Sequence, residues 1–288
     1  MSELHNKYSL LEMADYLDVS SSGYYEWLKR KESDRKKEDK VLKEVIKLEF
    51  NVSKETYGVA RIIRELKNHG LNIGSCRTRR LMKEQCLVPK ARKKFKVTTD
   101  SGHDQPVADN LLDQNFKTDA PDKVWVGDIT YIPTNEGWLY VAVVIDLFSR
   151  RVVGWAMSDR IKKALVIEAF LMAVKKRNPL PGLIFHSDRG SQYCSIEFRN
   201  LLKSGKALQS MSGKGNCYDN AVAESFFHTL KVEQINWFRF ISRNSAKRAV
   251  FEFVEMFYNR KRLHSYLNYS SPEQFEKSYY YKRVEKCA

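Results

Sequence analysis

Three carboxylates in the second half of the chain, Asp128, Asp188 and Glu224, have the residue type and placement for metal-assisted displacement at phosphorus. Asp128 interrupts the β-rich run WVGDITYI, where an aspartate is disfavoured unless something pairs with it. Asp188 ends the short apolar run LIFHSD, just before Gly190. Glu224 lies in GKGNCYDNAVAESFFHTLK, on a helix whose apolar residues Val222, Phe226 and Leu230 recur at spacing four and mark a buried face. Glu224, His228 and Lys231 share a second, polar face at i, i+4 and i+7. Two close carboxylates repel each other unless they share a proton or bind a cation. Hard oxygen ligands with no nearby Cys or paired His favour Mg²⁺ or Mn²⁺ over zinc. Three such groups can hold two ions roughly 4 Å apart, one at the attacking oxygen of an in-line displacement and one at the leaving oxygen.

Each acid alone has a plainer explanation, since a lone Glu and Lys on a helix usually form a solvated stripe. Asp146, in VIDLFSR, is within reach of the same site, and pairing with Arg150 or Arg151 accounts for it. His228 reads as a partly buried helix histidine. His186 reads as structural, with a minor role behind Asp188 left open by their even spacing along the strand. The chemistry needs no covalent protein nucleophile, so Tyr131, Ser149 and Ser187 are read as structural.

What makes the acids a group is the order of the elements that carry them. WVGDITYI, LYVAVVID and RVVGWAM are three strand-like runs joined by short turns, an antiparallel meander. The amphipathic helix KKALVIEAFLMAVKKR follows, then strand LIFHSD, helix IEFRNLLKSG, short strand ALQSM and the helix bearing Glu224. The order βββαβαβα implies a mixed sheet covered by helices, the plan of ribonuclease H, with the first and fourth strands adjacent. Asp128 and Asp188 then face each other, and Glu224 arrives from the last helix.

The first hundred residues are helical. SLLEMADYLDVSSSGYYEWLKR has helix-turn-helix punctuation, and a charged run, KRKESDRKKEDK, separates it from a helix through Val41 to Phe50. The plan is repeated in YGVARIIRELKNHGLNIGSCRTRRLMKEQCLVPK. Ile62, Ile63 and Leu66 stripe one helix, Gly70 ends it, and Ser75 opens another that carries Arg77, Arg79, Arg80 and Lys83. These four and Arg61 are the candidate DNA contacts, because the second helix of such a pair enters the major groove. Residues 92–116 are polar and aperiodic, and read as a linker.

Charge supports a polyanionic partner. The chain of 288 residues has a formal net charge of +15, concentrated at 51–96 (+10) and 225–288 (+6). No apolar run spans a bilayer and MSELHNKYSL lacks a signal-peptide core, so a cytoplasmic, nucleoid-associated protein without a membrane partner is expected. The five cysteines have neither CxxC nor zinc-finger spacing, which predicts reduced thiols and no structural zinc.

The blocks WVGDITYI, GWLYVAVVIDLFSRRVVGWAM, FHSDRGSQY, SMSGKGNCYDNAVAESFFHTLKVE and YNRKRLHSYLNYSSP, in this order, resemble the second-frame (OrfB) product of bacterial insertion sequences of the IS-three family. These are DDE transposases with a retroviral-integrase-like core. The likeness runs from about Tyr57 to Phe275, and the 35 residues 189–223 between Asp188 and Glu224 match the family's acid spacing. It implies that Asp128, Asp188 and Glu224 bind two Mg²⁺ (or Mn²⁺) ions and catalyse the reaction, with Lys231 contacting DNA. It also implies terminal inverted repeats and target DNA as partners, a homo-oligomer on DNA, and an OrfA partner or fusion. The integrase zinc unit has no counterpart here, so the helix-turn-helix units must supply DNA binding.

The expected architecture is therefore α/β: a ribonuclease H-like mixed five-stranded sheet with flanking helices, preceded by all-α helix-turn-helix units. Its divisions are helix-turn-helix 1–33, helical linker 34–55, second helix-turn-helix 56–96, linker 97–120, catalytic core 121–240 and basic helical segment 241–288. The expected activity is metal-dependent 3′-end cleavage and strand transfer. A nuclease that cuts without joining would share the acids, and a non-catalytic DNA-binding regulator would share the helices but has no need of three carboxylates.

Overall fold

The computed structural model describes residues 1, 4, 6–90, 106–213 and 217–287. Linker residues 91–105 and the Gly215 part of the loop before Glu224 lie outside them.

Serine caps punctuate the helical first part. Helix α1 (Leu10–Tyr16) opens on a capping box between Ser9 and Glu12. Helices α2 (Ser21–Lys29) and α3 (Asp34–Val52) open on Ser20 and Ser33, whose hydroxyls accept from Gly23 N and Lys36 N. α4 (Val59–Asn68) stops at His69, and Gly70 takes the left-handed conformation (φ +78°) that lets the chain reverse into α5 (Ser75–Glu84). The helix expected as a linker, α3, packs into this unit: its stripe Leu42, Ile46 and Phe50 joins Ile62, Leu66, Leu81 and Met82 in one core.

The rest is the expected sheet. Strands β1 (Val124–Thr134), β2 (Gly137–Asp146) and β3 (Val152–Ser158) form the antiparallel meander. After α6 (Lys163–Arg177) comes β4 (Ile184–Ser187), then α7 (Ser191–Cys194), α8 (Ile196–Ser204) and β5 (Leu208–Met211). The strand order is β3-β2-β1-β4-β5, with β4 parallel to both β1 and β5. α9 (Ala221–Glu233) carries Glu224. α10 (Arg243–Phe251) continues as a π-helix over Glu252–Tyr258, and α11 (Pro272–Cys287) closes the described chain.

Alternation along the strands sends side chains to two cores. Trp125, Ala142, Val144 and Phe185 pack with Phe170 of α6 and Phe198 of α8. Here β3 and α6 touch so closely that a Cβ on Gly154 would lie 2.2 Å from the Ala169 carbonyl oxygen. On the other face Val126, Ile132, Val141 and Val143 meet Phe226 and Leu230 of α9, and this core is continuous with that of α3 to α5. Each buried Phe or Leu contributes roughly 1.5–3 kcal/mol, so α9 is held by its apolar stripe.

The described part of the linker lies along the sheet edge, where Met211 N donates to Asp109 O at 3.2 Å and Leu111 N to the Ser210 hydroxyl at 2.9 Å. Asp146 departs from the arginine pairing expected for it. It is fully buried and accepts from Asp122 N (2.7 Å), Ser149 N (2.9 Å) and Ser149 Oγ (3.0 Å). The turn sets Arg150 at φ +60° and points its guanidinium over Tyr266, 4.1 Å from the ring centroid, while Arg151 pairs with Glu276. Buried Glu276 also receives Arg177 and the Ser149 hydroxyl, which clamps α11 to the sheet.

Candidate active site

β1 and β4 run parallel with Gly127 opposite Ser187, so the next residues, Asp128 and Asp188, emerge side by side at the point where β4 ends. Gly127 is needed for this approach, because a Cβ there would lie 2.5 Å from the Phe185 ring. Asp128 Oδ1 accepts from Ile129 N at 2.8 Å, and Asp188 Oδ1 accepts from Gly190 N at 3.0 Å. Burial pushes the Asp128 carboxyl well above its ordinary range, and the charges of Asp188 and Glu224 push the same way. Glu224 is raised by burial and then by Asp188. The charges of Asp188 and Glu224 thus act on Asp128 together, and the Lys231 ammonium opposes them.

Glu224 stands in the first turn of α9, whose N-terminal amides and dipole favour negative charge. The N-cap Asn220 makes no side-chain cap to its own helix. Its amide instead donates to Gly127 O at 3.3 Å, joining the start of α9 to the residue before Asp128. Asp219 accepts from Gly213 N at 2.7 Å and from Asn110 Nδ2 at 3.0 Å, and Ser212 N donates to Ser187 O at 3.0 Å. These bonds brace both ends of the segment between β5 and α9. Asn220 and Asp219 were not singled out from sequence; the signal available was an Asp-Asn pair at a helix start, which ordinary capping also explains.

Lys231, two turns beyond Glu224, is half-buried with its ammonium 5.2 Å from the centroid of the Tyr131 ring. Burial lowers its pKa and Asp128 opposes the shift. His186 is fully buried between Ser210 Oγ (2.8 Å) and Ser212 Oγ (3.3 Å), and burial lowers its pKa to about 4, so it is a neutral structural group. His228 is half-buried on α9. Cys76, Cys86 and Cys194 are free thiols.

The basic candidates separate by environment. Arg79 and Lys83 are exposed on α5. Arg77 and Arg80, the latter also exposed, reach α3, sharing Asp39 at 2.8 and 2.6 Å, with further bonds to Glu38 and Glu84. Arg61 faces the sheet domain, 3.7 Å from Glu233 and over the Tyr57 ring. Glu233 lies at the end of α9 and is held by both arms of buried Arg262 at 2.7 Å.

Carboxylate oxygens that repel one another suit a hard divalent cation, which would neutralise the repulsion. Among the described residues no three Asp, Glu, His or Cys side chains are gathered tightly enough to ligate a single ion; Asp128, Asp188 and Glu224 are the candidate donors.

Models of known families match three parts of the chain. Residues 118–217 and 224–279 match two models of an integrase core domain, and residues 36–95 match an HTH-like domain. The chain is 43% identical to the transposase InsF for insertion sequence IS3A of Escherichia coli, over 94% of each chain. The chain belongs to the IS3 family of transposases. Other relatives agree: an insertion element IS600 protein of Shigella sonnei is 46% identical over 93% of this chain and 98% of its own. The transposase for insertion sequence element IS904 of Lactococcus lactis is 47% identical over 86% and 98%. Distant likeness extends to the HTLV-2 integrase catalytic core domain in complex with magnesium, with 18% identity, TM-score 0.44, and coverage of 56% of this chain and 99% of that one. It is the sheet order and the two integrase core matches that make this IS3-family chain ribonuclease H-like. Among the described residues, no helix is long and apolar enough to cross a membrane.

Proposed function

We propose that this chain cuts the 3′ ends of an insertion sequence and joins them to new DNA, with Asp128, Asp188 and Glu224 as the catalytic acids. The observation that carries the assignment is the parallel register of Gly127 with Ser187, which brings two aspartates together under a helix bearing a third acid. Asp128 and Asp188 hold one divalent cation and Asp128 and Glu224 a second, Mg²⁺ or Mn²⁺ by the hardness of the donors. When bound, such ions supply charge stabilisation at the attacking and leaving oxygens of a phosphodiester displacement.

The chain's own groups do the rest. Water attacks phosphorus at the element end, the P–O3′ bond breaks, and a 3′-OH is freed. That hydroxyl then attacks a second phosphodiester and displaces its 3′ oxygen, joining element to target. Lys231 binds a phosphate beside the acids, and the N-terminus of α9 favours the negative charge of Glu224. Arg79 and Lys83 are exposed cations of α5 that fit phosphates or guanine edges when this helix docks in a major groove. Arg77 and Arg80 would join them by exchanging α3 acids for phosphates, and Arg61 acts by docking the helix-turn-helix unit on the core. End recognition falls to residues 56–96 with α3, and catalysis to 121–240. Two ends must meet, so a homo-oligomer on DNA is expected, with an OrfA product as a partner or fusion.

Incubating the protein and a divalent ion with DNA ending in the element's inverted repeat tests the reading. A joined product is the expected result. Cutting without joining would make the protein a nuclease, and binding without cutting a regulator.

A further inference from the structure

One feature beside the acids is unused by the chemistry above. β4 pairs with β1 only as far as Gly127, and β1 runs on to Thr134 as the outer arm of a hairpin with β2. On that arm Tyr131 lies opposite Tyr140, so Trp138 is its diagonal neighbour on the same face of the hairpin. The two rings meet edge to face, with centroids 4.8 Å apart at 83°. Trp138 is nonetheless 48% exposed. A single exposed aromatic needs no explanation, but this one ends a chain of contacts that starts at the reaction centre. Asp128 acts on Lys231, Lys231 lies over the Tyr131 ring, and Tyr131 abuts Trp138. Asp128 and Tyr131 point to opposite faces of β1, and Lys231 reaches both across the edge that β4 leaves.

The turn that carries the exposed ring is anchored. Asn135 N donates to Phe240 O at 3.0 Å, and Glu136 accepts from Arg243 N at 2.8 Å. The Arg243 guanidinium donates to Trp138 O at 3.0 Å and packs on Gly137, whose φ of +104° tightens the turn. Three residues of strand, roughly 10 Å, separate Tyr131 from Asp128. A half-exposed aromatic on an anchored turn, a nucleotide or two from the acids and backed by a tyrosine that carries a lysine, suits a base turned out of its stack whose phosphate is held nearby.

We infer that Trp138, backed by Tyr131, is a stacking platform for a nucleobase unpaired next to the reacting phosphodiester, with Lys231 on the adjoining phosphate. The inference rests on the transposase reading and adds a binding subsite to it. The partner is a DNA end locally opened at the point of cleavage.

The test uses the full chain and inverted-repeat DNA carrying 2-aminopurine at single positions around the scissile phosphate. Wild type and Trp138→Phe should quench the probe at one or two positions, while Trp138→Ala leaves it bright. Cleavage of paired DNA by Trp138→Ala should fall roughly ten-fold or more. A mismatch at the quenched position should restore most of it, a rescue that a general folding defect would not give. Equal probe signals in all three proteins, or full activity of Trp138→Ala on paired DNA, would overturn the platform. Absence of wild-type cleavage with any divalent ion would remove the reading beneath it, and the fluorescence would still report the stacking separately.

Discussion

Gly127 lies in register with Ser187 across a parallel strand pair, and the residues that follow them are the two aspartates of the site. The contact needs a residue without a side chain, since a Cβ on Gly127 would meet the Phe185 ring at 2.5 Å. Gly127→Ala should therefore force β1 and β4 apart, destabilise the protein by about 1–3 kcal/mol and lower cleavage more than it lowers DNA binding. Urea denaturation together with a single-turnover cleavage assay measures both effects.

The end of α9 is tied to the HTH-like unit through Glu233, which holds Arg262 by two 2.7 Å bonds and faces Arg61. Glu233→Ala leaves a buried guanidinium without its partner and should cost about 3–5 kcal/mol. Replacing both Glu233 and Arg262 with Met should cost clearly less. Denaturant midpoints for the three proteins decide it.

A half-buried histidine should make stability fall in acid. His264 is pushed down to about 2 by burial and by the neighbouring Arg262, Arg61 and Arg150 guanidiniums. In the unfolded chain it titrates near its ordinary value of 6.5. The folded pKa is depressed, so the unfolded state takes up the proton first. The stabilisation is complete above about pH 6.5 and is lost progressively below it. Between pH 7.5 and 4.5 the wild type should lose roughly 2–3 kcal/mol more than His264→Gln. Unfolding free energies across that interval provide the check.

Of the five basic candidates on the helix-turn-helix unit, Arg79 and Lys83 are exposed, and Arg77 bridges α5 to Asp39 of α3. Arg79→Ala and Lys83→Ala should each weaken binding to inverted-repeat DNA and reduce the slope of log K against log salt by about 0.9. Arg77→Ala should act first on thermal stability. Titrations at several salt concentrations separate the two behaviours.

Much of the site was legible in the sequence because the order of elements dictates the neighbours. Three strands followed by alternating helices and strands place β4 beside β1, and that alone pairs Asp128 with Asp188. Glu224 was readable from the apolar stripe on the opposite side of its helix. Tertiary pairing was not. The charged run at the start of α3 hid the stripe of Leu42, Ile46 and Phe50, and with it the acids that meet Arg77 and Arg80. Asp146 looked like an arginine partner because the two are close in sequence, but a left-handed residue at Arg150 turns that side chain away. Asn220 has the position of an ordinary cap, and only the packing of α9 against β1 diverts its amide to Gly127.

The central claim is that the two aspartates and the glutamate act as one unit at the phosphodiester. It is tested most directly by single-turnover cleavage and strand transfer with Asp128→Asn, Asp188→Asn and Glu224→Gln, at DNA concentrations that saturate binding. The account predicts that each variant binds inverted-repeat DNA like the wild type and loses at least roughly 10²-fold in both steps. Full activity in any one of them, above all in Glu224→Gln, would contradict it.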